Sequence, residues 1–281
     1  MLLLVEPFHR MFAINDINIA FPHAEVERVP VCKHSPCPVL TCPRLTRSAV
    51  MNFVYALFIP LGIMIIWNLI FRSSAKKHEV TYLSFAIALI LTSFLTDTIK
   101  NAVGRPRPDL ISRCIPAPGT QPGILVTLDV CTQTDHHKLH DGWRSFPSGH
   151  ASFSFAGLGF LSLFLAGQLR IFRHVDGGRD LGRALICLVP LIVAALIAIS
   201  RCEDYRHDVY DVCFGSVLGF LVGYWSYRRH WPSLHTRDCD EPHPPPTTDT
   251  RTGWNRVRDE EDGLSTRDVR IEMSDLEPEH R

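Results

Sequence analysis

The stretch Phe53-Val-Tyr-Ala-Leu-Phe-Ile-Pro-Leu-Gly-Ile-Met-Ile-Ile-Trp-Asn-Leu-Ile-Phe71 carries no charged side chain along its whole length. A helix needs about 20 apolar residues to cross the hydrocarbon core of a bilayer, so this run is long enough to span. Four more apolar blocks follow, at Val80–Ile99, Ala151–Leu169, Ala184–Ile199 and Val212–Tyr227. The last two are short and need flanking residues to cross. Five such blocks with almost no internal charge argue against core helices of a soluble domain. The predicted fold class is all-α, a polytopic transmembrane helical bundle with five visible spans. In the fifth block Gly215, Gly219 and Gly223 recur at every fourth position. This spacing predicts a groove for close helix packing in lipid.

The chain has 281 residues, 46% of them hydrophobic, and the apolar ones are concentrated in blocks. Lys+Arg and Asp+Glu are both 29, so the charge balance points to no nucleic-acid partner. Three regions follow. Residues 1–50 form an N-terminal segment, residues 51–230 hold the spans, and residues 231–281 read as a disordered, solvent-exposed tail, Pro-rich and then charged. There are nine cysteines and no Cys-x-x-Cys pair, which disfavours a zinc or thioredoxin-type site. Cys32, Cys37 and Cys42 sit in a Pro-rich stretch that reads as a loop. Cys114 and Cys131 share one polar connection and could pair, with Cys202 as a competing partner. Cys187 and Cys213 read as small core residues.

Orientation follows from the connections. Arg72, Lys76 and Lys77 lie in the first. Arg170, Arg173, Arg179 and Arg183 lie in the third, and Arg228 and Arg229 open the tail. These three segments share one side, and the positive-inside rule makes it the cytosol. The second connection, about residues 100–150, and the fourth, about 200–211, then share the lumenal or extracellular face.

Three clusters meet on that face: Lys100 through Arg107-Pro108, then Pro147-Ser148-Gly149-His150, then Ser200-Arg201 followed by His207 and Asp211. The residue types suit phosphate chemistry. Lys100, Arg107 and Arg201 could neutralise a phosphoryl group, arginine forks matching its oxygens in pairs. Ser148, Gly149 and His150 should open a helix, whose free N–H groups favour an anion. His207 and Asp211, four residues apart, would share a helix face, so the carboxylate could hold one imidazole nitrogen while the other attacks phosphorus. His150 could protonate the departing alkoxide. Alone, each cluster has a plain alternative: lipid-headgroup contact, a turn, or a helix-surface pair. Together, in order and on one face, they point to a phosphatase site.

Lys-x6-Arg-Pro, Pro-Ser-Gly-His and Ser-Arg-x5-His-x3-Asp together resemble the three-part signature of the type 2 phosphatidic acid phosphatase superfamily. The similarity is to its lipid phosphate phosphatase and diacylglycerol pyrophosphate phosphatase branch, over roughly residues 5–31 and 50–232. Pro7-Phe-His-Arg-Met-Phe12 and Phe146 add to it. The resemblance implies His207 as a phosphohistidine nucleophile, Asp211 as its partner and His150 as general acid. It implies Lys100, Arg107, Ser148, Gly149 and Arg201 as phosphate ligands, with no metal and no cofactor. Membrane lipid phosphates are the implied substrates, such as phosphatidic acid, lysophosphatidic acid or diacylglycerol pyrophosphate.

Rival readings are an isoprenoid diphosphate or sphingoid-base phosphate phosphatase, a vanadate-dependent haloperoxidase, which five spans disfavour, and an inactive lipid-binding scaffold, which the presence of both histidines disfavours. Members of the family resemble six-span proteins. Met1–Val5 reads as the last turn of a further span, and Cys32–Met51 departs from the family pattern. The expectation is that the natural protein carries an additional N-terminal span and lacks all or part of Cys32–Met51.

Overall fold

The computed structural model describes residues 6–21, 49–172 and 181–243. Met1–Val5, Cys32, Cys37, Cys42 and the chain from Pro244 onward, with the expectations placed on them, lie outside the described residues. Five helices are long and apolar enough to span: α1 (Met51–Ile70), α2 (Ala75–Val103), α5 (Gly149–Gln168), α6 (Leu181–Glu203) and α7 (Val209–His230). Two short helices, α3 (Leu110–Cys114) and α4 (His136–His140), lie in the connection between α2 and α5. The five expected spans are all present. The fourth and fifth gain the flanking turns they needed, so that polar residues such as Arg201 and Asp211 ride on the helix ends.

Helix α5 is the centre of the bundle. Most of its side chains are small or aromatic, and nearly all are buried against α1, α2, α6 and α7. Lipid tails are as apolar as leucine, so hydrophobicity alone gives helices little reason to associate in a bilayer; close packing and interhelical hydrogen bonds do that work. Both are seen. Ser154 Oγ donates to Asn52 Oδ1 on α1 at 2.8 Å, Thr96 and Ser152 share a bond of 2.9 Å between α2 and α5, and Ser162 Oγ donates to the Cys187 carbonyl on α6 at 2.6 Å. Ser226 on α7 closes the set by donating to the Ser84 carbonyl on α2 at 2.7 Å.

The glycine stripe on α7 faces α5. A methyl group at Gly215 would meet the Ser148 carbonyl at 2.6 Å, and one at Gly223 would meet the Ala156 carbonyl at 3.1 Å. At Gly219 a methyl group would overlap the Ser152 carbonyl. The stripe therefore lets two backbones touch, as its spacing predicts. A related device joins α1 to α5. Pro60 has no N–H for the Ala56 carbonyl, and the helix widens into a π turn over Val54–Phe58. Gly157 leaves room for that carbonyl.

Outward faces are apolar. On α6, Leu185, Ile186, Val189, Ile192, Leu196 and Ile199 are exposed, as suits a surface solvated by lipid. Cys213 is exposed as well, which corrects its reading as a core residue; it lies on the outer side of α7, away from the glycine stripe, whereas Cys187 is buried.

A cap closes one end of the bundle. A two-residue ribbon pairs β1 (Phe12–Ala13) antiparallel with β2 (Leu125–Val126), Phe12 opposite Val126. Phe12, Ile19, Leu110, Leu139 and Trp143 form its core. Cys114 and Cys131 are joined as a disulfide, and Cys202 is free. Gly104, with φ +56°, ends α2 where the chain passes under the Phe8 carbonyl, a position with no room for a side chain.

The other end departs from expectation. Residues 231–243 are not an exposed tail. Trp231 and Cys239 are fully buried, because Trp231 stacks on Tyr227 and the chain folds back over the ends of α2 and α5.

Gly219→Leu should lose its packing against Ser152. Overpacking typically costs about 1–3 kcal/mol, and backbone contact gives little room to relax. We expect a clear fall in the thermal midpoint of the detergent-solubilised protein. Gly62→Ala, where a methyl group meets nothing within 4 Å, should leave it unchanged; equal loss in both variants would contradict this packing.

Candidate active site

The cap end gathers the three clusters. Lys100 is in the last turn of α2 and donates to the Arg144 carbonyl at 3.2 Å. Arg107 follows in the loop, its N–H held by the Gly142 carbonyl at 2.8 Å. Ser148 caps α5, so Gly149 and His150 form its first turn. Arg201 lies in the last turn of α6, fully buried, with its Nη2 3.1 Å from Asp204 Oδ2.

Lys100, Arg107, Gly149, His150 and His207 line one cavity of about 400 Å³. Ser148, Arg201 and Asp211 stand behind that lining, each with no more than a trace of exposed surface. Arg107 Nε, His150 Nε2 and His207 Nδ1 are buried and find no hydrogen-bond partner among the described residues. Buried polar atoms are nearly always paired, so the Arg107 and His150 atoms suit an anionic ligand, whereas His207 Nδ1 faces Asp211. The cavity also reaches Asn52, Phe53 and Phe153 on the sides of α1 and α5. It thus joins a cationic floor to the flank of the bundle. On its other side His207 borders a second cavity of about 670 Å³, roofed by residues of the 6–21 segment and by Tyr205.

The His207–Asp211 pair differs in two ways from its sequence reading. His207 is not on the helix: Asp208 is the N-cap of α7, and His207 precedes it. Its Nδ1 is 3.9 Å from Asp211 Oδ2, too long for a hydrogen bond. The carboxylate is held elsewhere. Arg105 Nη1 donates to Oδ1 at 2.6 Å, and Ser145 Oγ and the Asp208 N–H donate to Oδ2. Asp208 and Asp211 form a capping box at the start of α7.

Burial pushes His207 down to about 4; Lys100 and Arg107 push the same way, and Asp211 opposes them. Its imidazole is therefore neutral at pH 7. Burial alone would raise the Asp141 carboxyl, but Arg107, Arg113 and Lys100 together hold it below its ordinary range. Asp141 bridges Arg107 at 2.8 Å and Arg113 at 3.1 Å.

Sequence reading missed Arg105, Ser145, Asp141 and Arg206. Arg105 clamps both carboxylates at the start of α7, reaching Asp208 Oδ2 at 2.8 Å as well as Asp211. A third cation between Lys100 and Arg107 was the signal available for it. Ser145 and Asp141 left none, because their partners are far away in sequence. Arg206 lines the cavity beside His207, and its place next to that histidine could have marked it.

Fold and site together define a multi-span membrane protein with two histidines and several cations lining one cavity at one end of its bundle. The PAP2 superfamily profile matches residues 81–234. The chain is 39% identical to diacylglycerol pyrophosphate phosphatase 1 of Saccharomyces cerevisiae, over 82% of this chain and 73% of that one. It is 35% identical to the probable diacylglycerol pyrophosphate phosphatase 1 of Schizosaccharomyces pombe, over 84% and 77%. It is 37% identical to lipid phosphate phosphatase 2 of Arabidopsis thaliana, over 67% and 63%. The chain belongs to the PAP2 superfamily, and it is an integral membrane phosphatase of that type.

Two predictions follow from this geometry. His207 is held neutral in the fold but titrates near 6.5 when unfolded. Between pH 6.5 and 4 the unfolded state therefore takes up a proton that the folded state refuses. Its contribution is fully present above pH 6.5 and is lost as pH falls towards 4, on the order of 3 kcal/mol. The thermal midpoint of His207→Gln should fall less between pH 7 and pH 4.5 than that of the parent; equal falls would contradict the assignment. Arg105→Lys should lower both midpoint and turnover, because an ammonium cannot fork across two carboxylates. Unchanged values would show the clamp to be idle.

Proposed function

We propose that the chain dephosphorylates lipid phosphates that stay in the membrane, with phosphatidic acid and diacylglycerol pyrophosphate as the leading substrates. The observation that carries this reading is the cavity that joins His150, His207, Lys100 and Arg107 to the flanks of α1 and α5. A headgroup can enter there while its acyl chains remain beside the helices. The yeast relatives are named for diacylglycerol pyrophosphate and the plant relative for lipid phosphates. The active end faces the lumen or the cell exterior, and the basic end, with Arg72, Lys77, Arg228 and Arg229, faces the cytosol.

The reaction runs in two steps. His207 attacks phosphorus through the nitrogen turned away from Asp211, Nε2, and the bond from phosphorus to the lipid oxygen breaks. The bonding pair leaves with that oxygen, which takes a proton from His150. Water then attacks the phosphohistidine. His150 takes its proton, the P–N bond breaks, and inorganic phosphate leaves with His207 restored. Lys100, Arg107 and Arg201 carry the phosphoryl charge, with Ser148 and Gly149 at the helix start, so the chemistry calls for no metal. The second cavity beside His207 offers water a route that does not cross the lipid entry. Asp211 acts through its field and by fixing the start of α7.

A panel of lipid phosphates offered to the purified protein in detergent tests this. Phosphate should be released from phosphatidic acid and diacylglycerol pyrophosphate in excess chelator, and vanadate should inhibit. His207→Ala should abolish turnover, and His150→Ala should lower it by about 10²–10⁴-fold. A folded His207→Ala protein with normal activity would sink the mechanism. Loss of activity in chelator, restored by magnesium, would sink the metal-free reading.

A further inference from the structure

Arg206 lines the cavity of His150 and His207, and the reaction proposed above gives it no part. It is half-buried, and among the described residues its guanidinium has no ion pair and no hydrogen bond. Its neighbours differ. Arg105 holds Asp208 and Asp211, Arg107 and Arg113 share Asp141, and Arg201 meets Asp204.

The turn that carries Arg206 is fixed by the end of α6. The Tyr205 N–H donates to the Cys202 carbonyl at 3.0 Å, and the Arg206 N–H donates to the Arg201 carbonyl at 3.3 Å. This pair of bonds is the Schellman arrangement, which places a left-handed residue just past the helix end and favours glycine there. Here that residue is Tyr205, at φ +52°. The conformation is costly for a bulky side chain, and such costs gather at functional sites. The Tyr205 ring stacks on Phe21, 4.6 Å between centroids, and lines the second cavity. The next side chain, Arg206, is turned into the first.

Its surroundings say what it can bind. Burial pushes Arg107 below its ordinary range; Asp141 and Asp109 oppose this, and Arg113 and Arg206 add to it. Arg201 is a second like-charged neighbour of Arg206. Arg107 and Arg201 belong to the set that carries the reacting phosphoryl group in the proposed reaction. A group bonded to that phosphoryl group therefore falls within a side chain's reach of Arg206. An arginine fork matches phosphoryl oxygens in pairs. In a lipid monophosphate the group next to the reacting phosphorus is an alkyl ester, which offers the fork no charge. In a lipid diphosphate it is a second phosphoryl group, with two free oxygens and a negative charge.

Resting on that reaction, we propose that Arg206 binds the second phosphoryl group of a lipid diphosphate and so makes the site favour a diphosphate over a monophosphate headgroup. His207 attacks the terminal phosphorus, the bond to the bridging oxygen breaks, and the electron pair leaves with the lipid monophosphate. Arg206 holds that leaving group as its charge grows.

The test compares diacylglycerol pyrophosphate with phosphatidic acid of the same acyl chains, each offered to the full chain and to its Arg206→Gln variant in detergent. The readout is the ratio of the two kcat/KM values, which does not depend on how much of a preparation is folded. The ratio should fall roughly 10–100-fold in the variant, the worth of one hydrogen bond to a charged group. An unchanged ratio, whether both values hold or both fall together, would overturn the proposal. A second comparison needs no turnover. In His207→Ala protein, a lipid carrying a methylenediphosphonate should bind more tightly than the same lipid carrying a single phosphonate, and adding Arg206→Gln should remove most of that margin. A margin that survives the substitution would also overturn the proposal. Release of phosphate from neither lipid by the parent would sink the proposed reaction, and the binding comparison would then decide the role of Arg206.

Discussion

The approach of α7 to α5 governs the end of the bundle that holds His150 and His207. Gly215, Gly219 and Gly223 let the α7 backbone lie against the carbonyls of Ser148, Ser152 and Ala156. At that distance the Ser148 N–H reaches the Asp211 carbonyl at 3.0 Å. The cap of α5, which carries Gly149 and His150, is thereby tied to the first turn of α7, just past His207. The two histidines come from segments almost sixty residues apart, and their common cavity depends on this backbone contact. A side chain on the glycine stripe would change the spacing of the two histidines along with the packing.

Charge at this end is handled by sharing. Asp141 serves Arg107 and Arg113, and Arg113 also holds Asp109 at 2.9 Å. Asp211 serves Arg105, Ser145 and the Asp208 N–H. Removing one partner of a buried pair leaves the other uncompensated, which is far more costly than the pair is stabilising. These networks therefore fix orientation more than they add stability. Arg107 meets Asp141 through Nη2, while its Nε has no hydrogen-bond partner among the described residues. The guanidinium is anchored on one side and available on the other.

The two ends of the bundle put similar side chains to different use. At the cap end, cations surround two histidines, and the carboxylates are set back behind them. At the opposite end, Lys77 meets Glu241 and Arg170 meets Asp240.

Much was legible in the sequence because bilayers impose strong local rules. Span number and approximate position follow from apolar runs, and close helix contact from the glycine stripe, since both depend on neighbours along one helix. The grouping of Lys100, Arg107, His150 and His207 at one end was also legible, because alternating spans bring every second connection to the same side. What only the tertiary structure decided were the partners of buried charge. Arg105 as the clamp on Asp211, Asp141 between two arginines, the 3.9 Å gap between His207 and Asp211, and the burial of Trp231 depend on segments distant in sequence. Hydrogen bonds and ion pairs act over a few ångströms in space, whatever the separation along the chain, so no pattern of spacing records them.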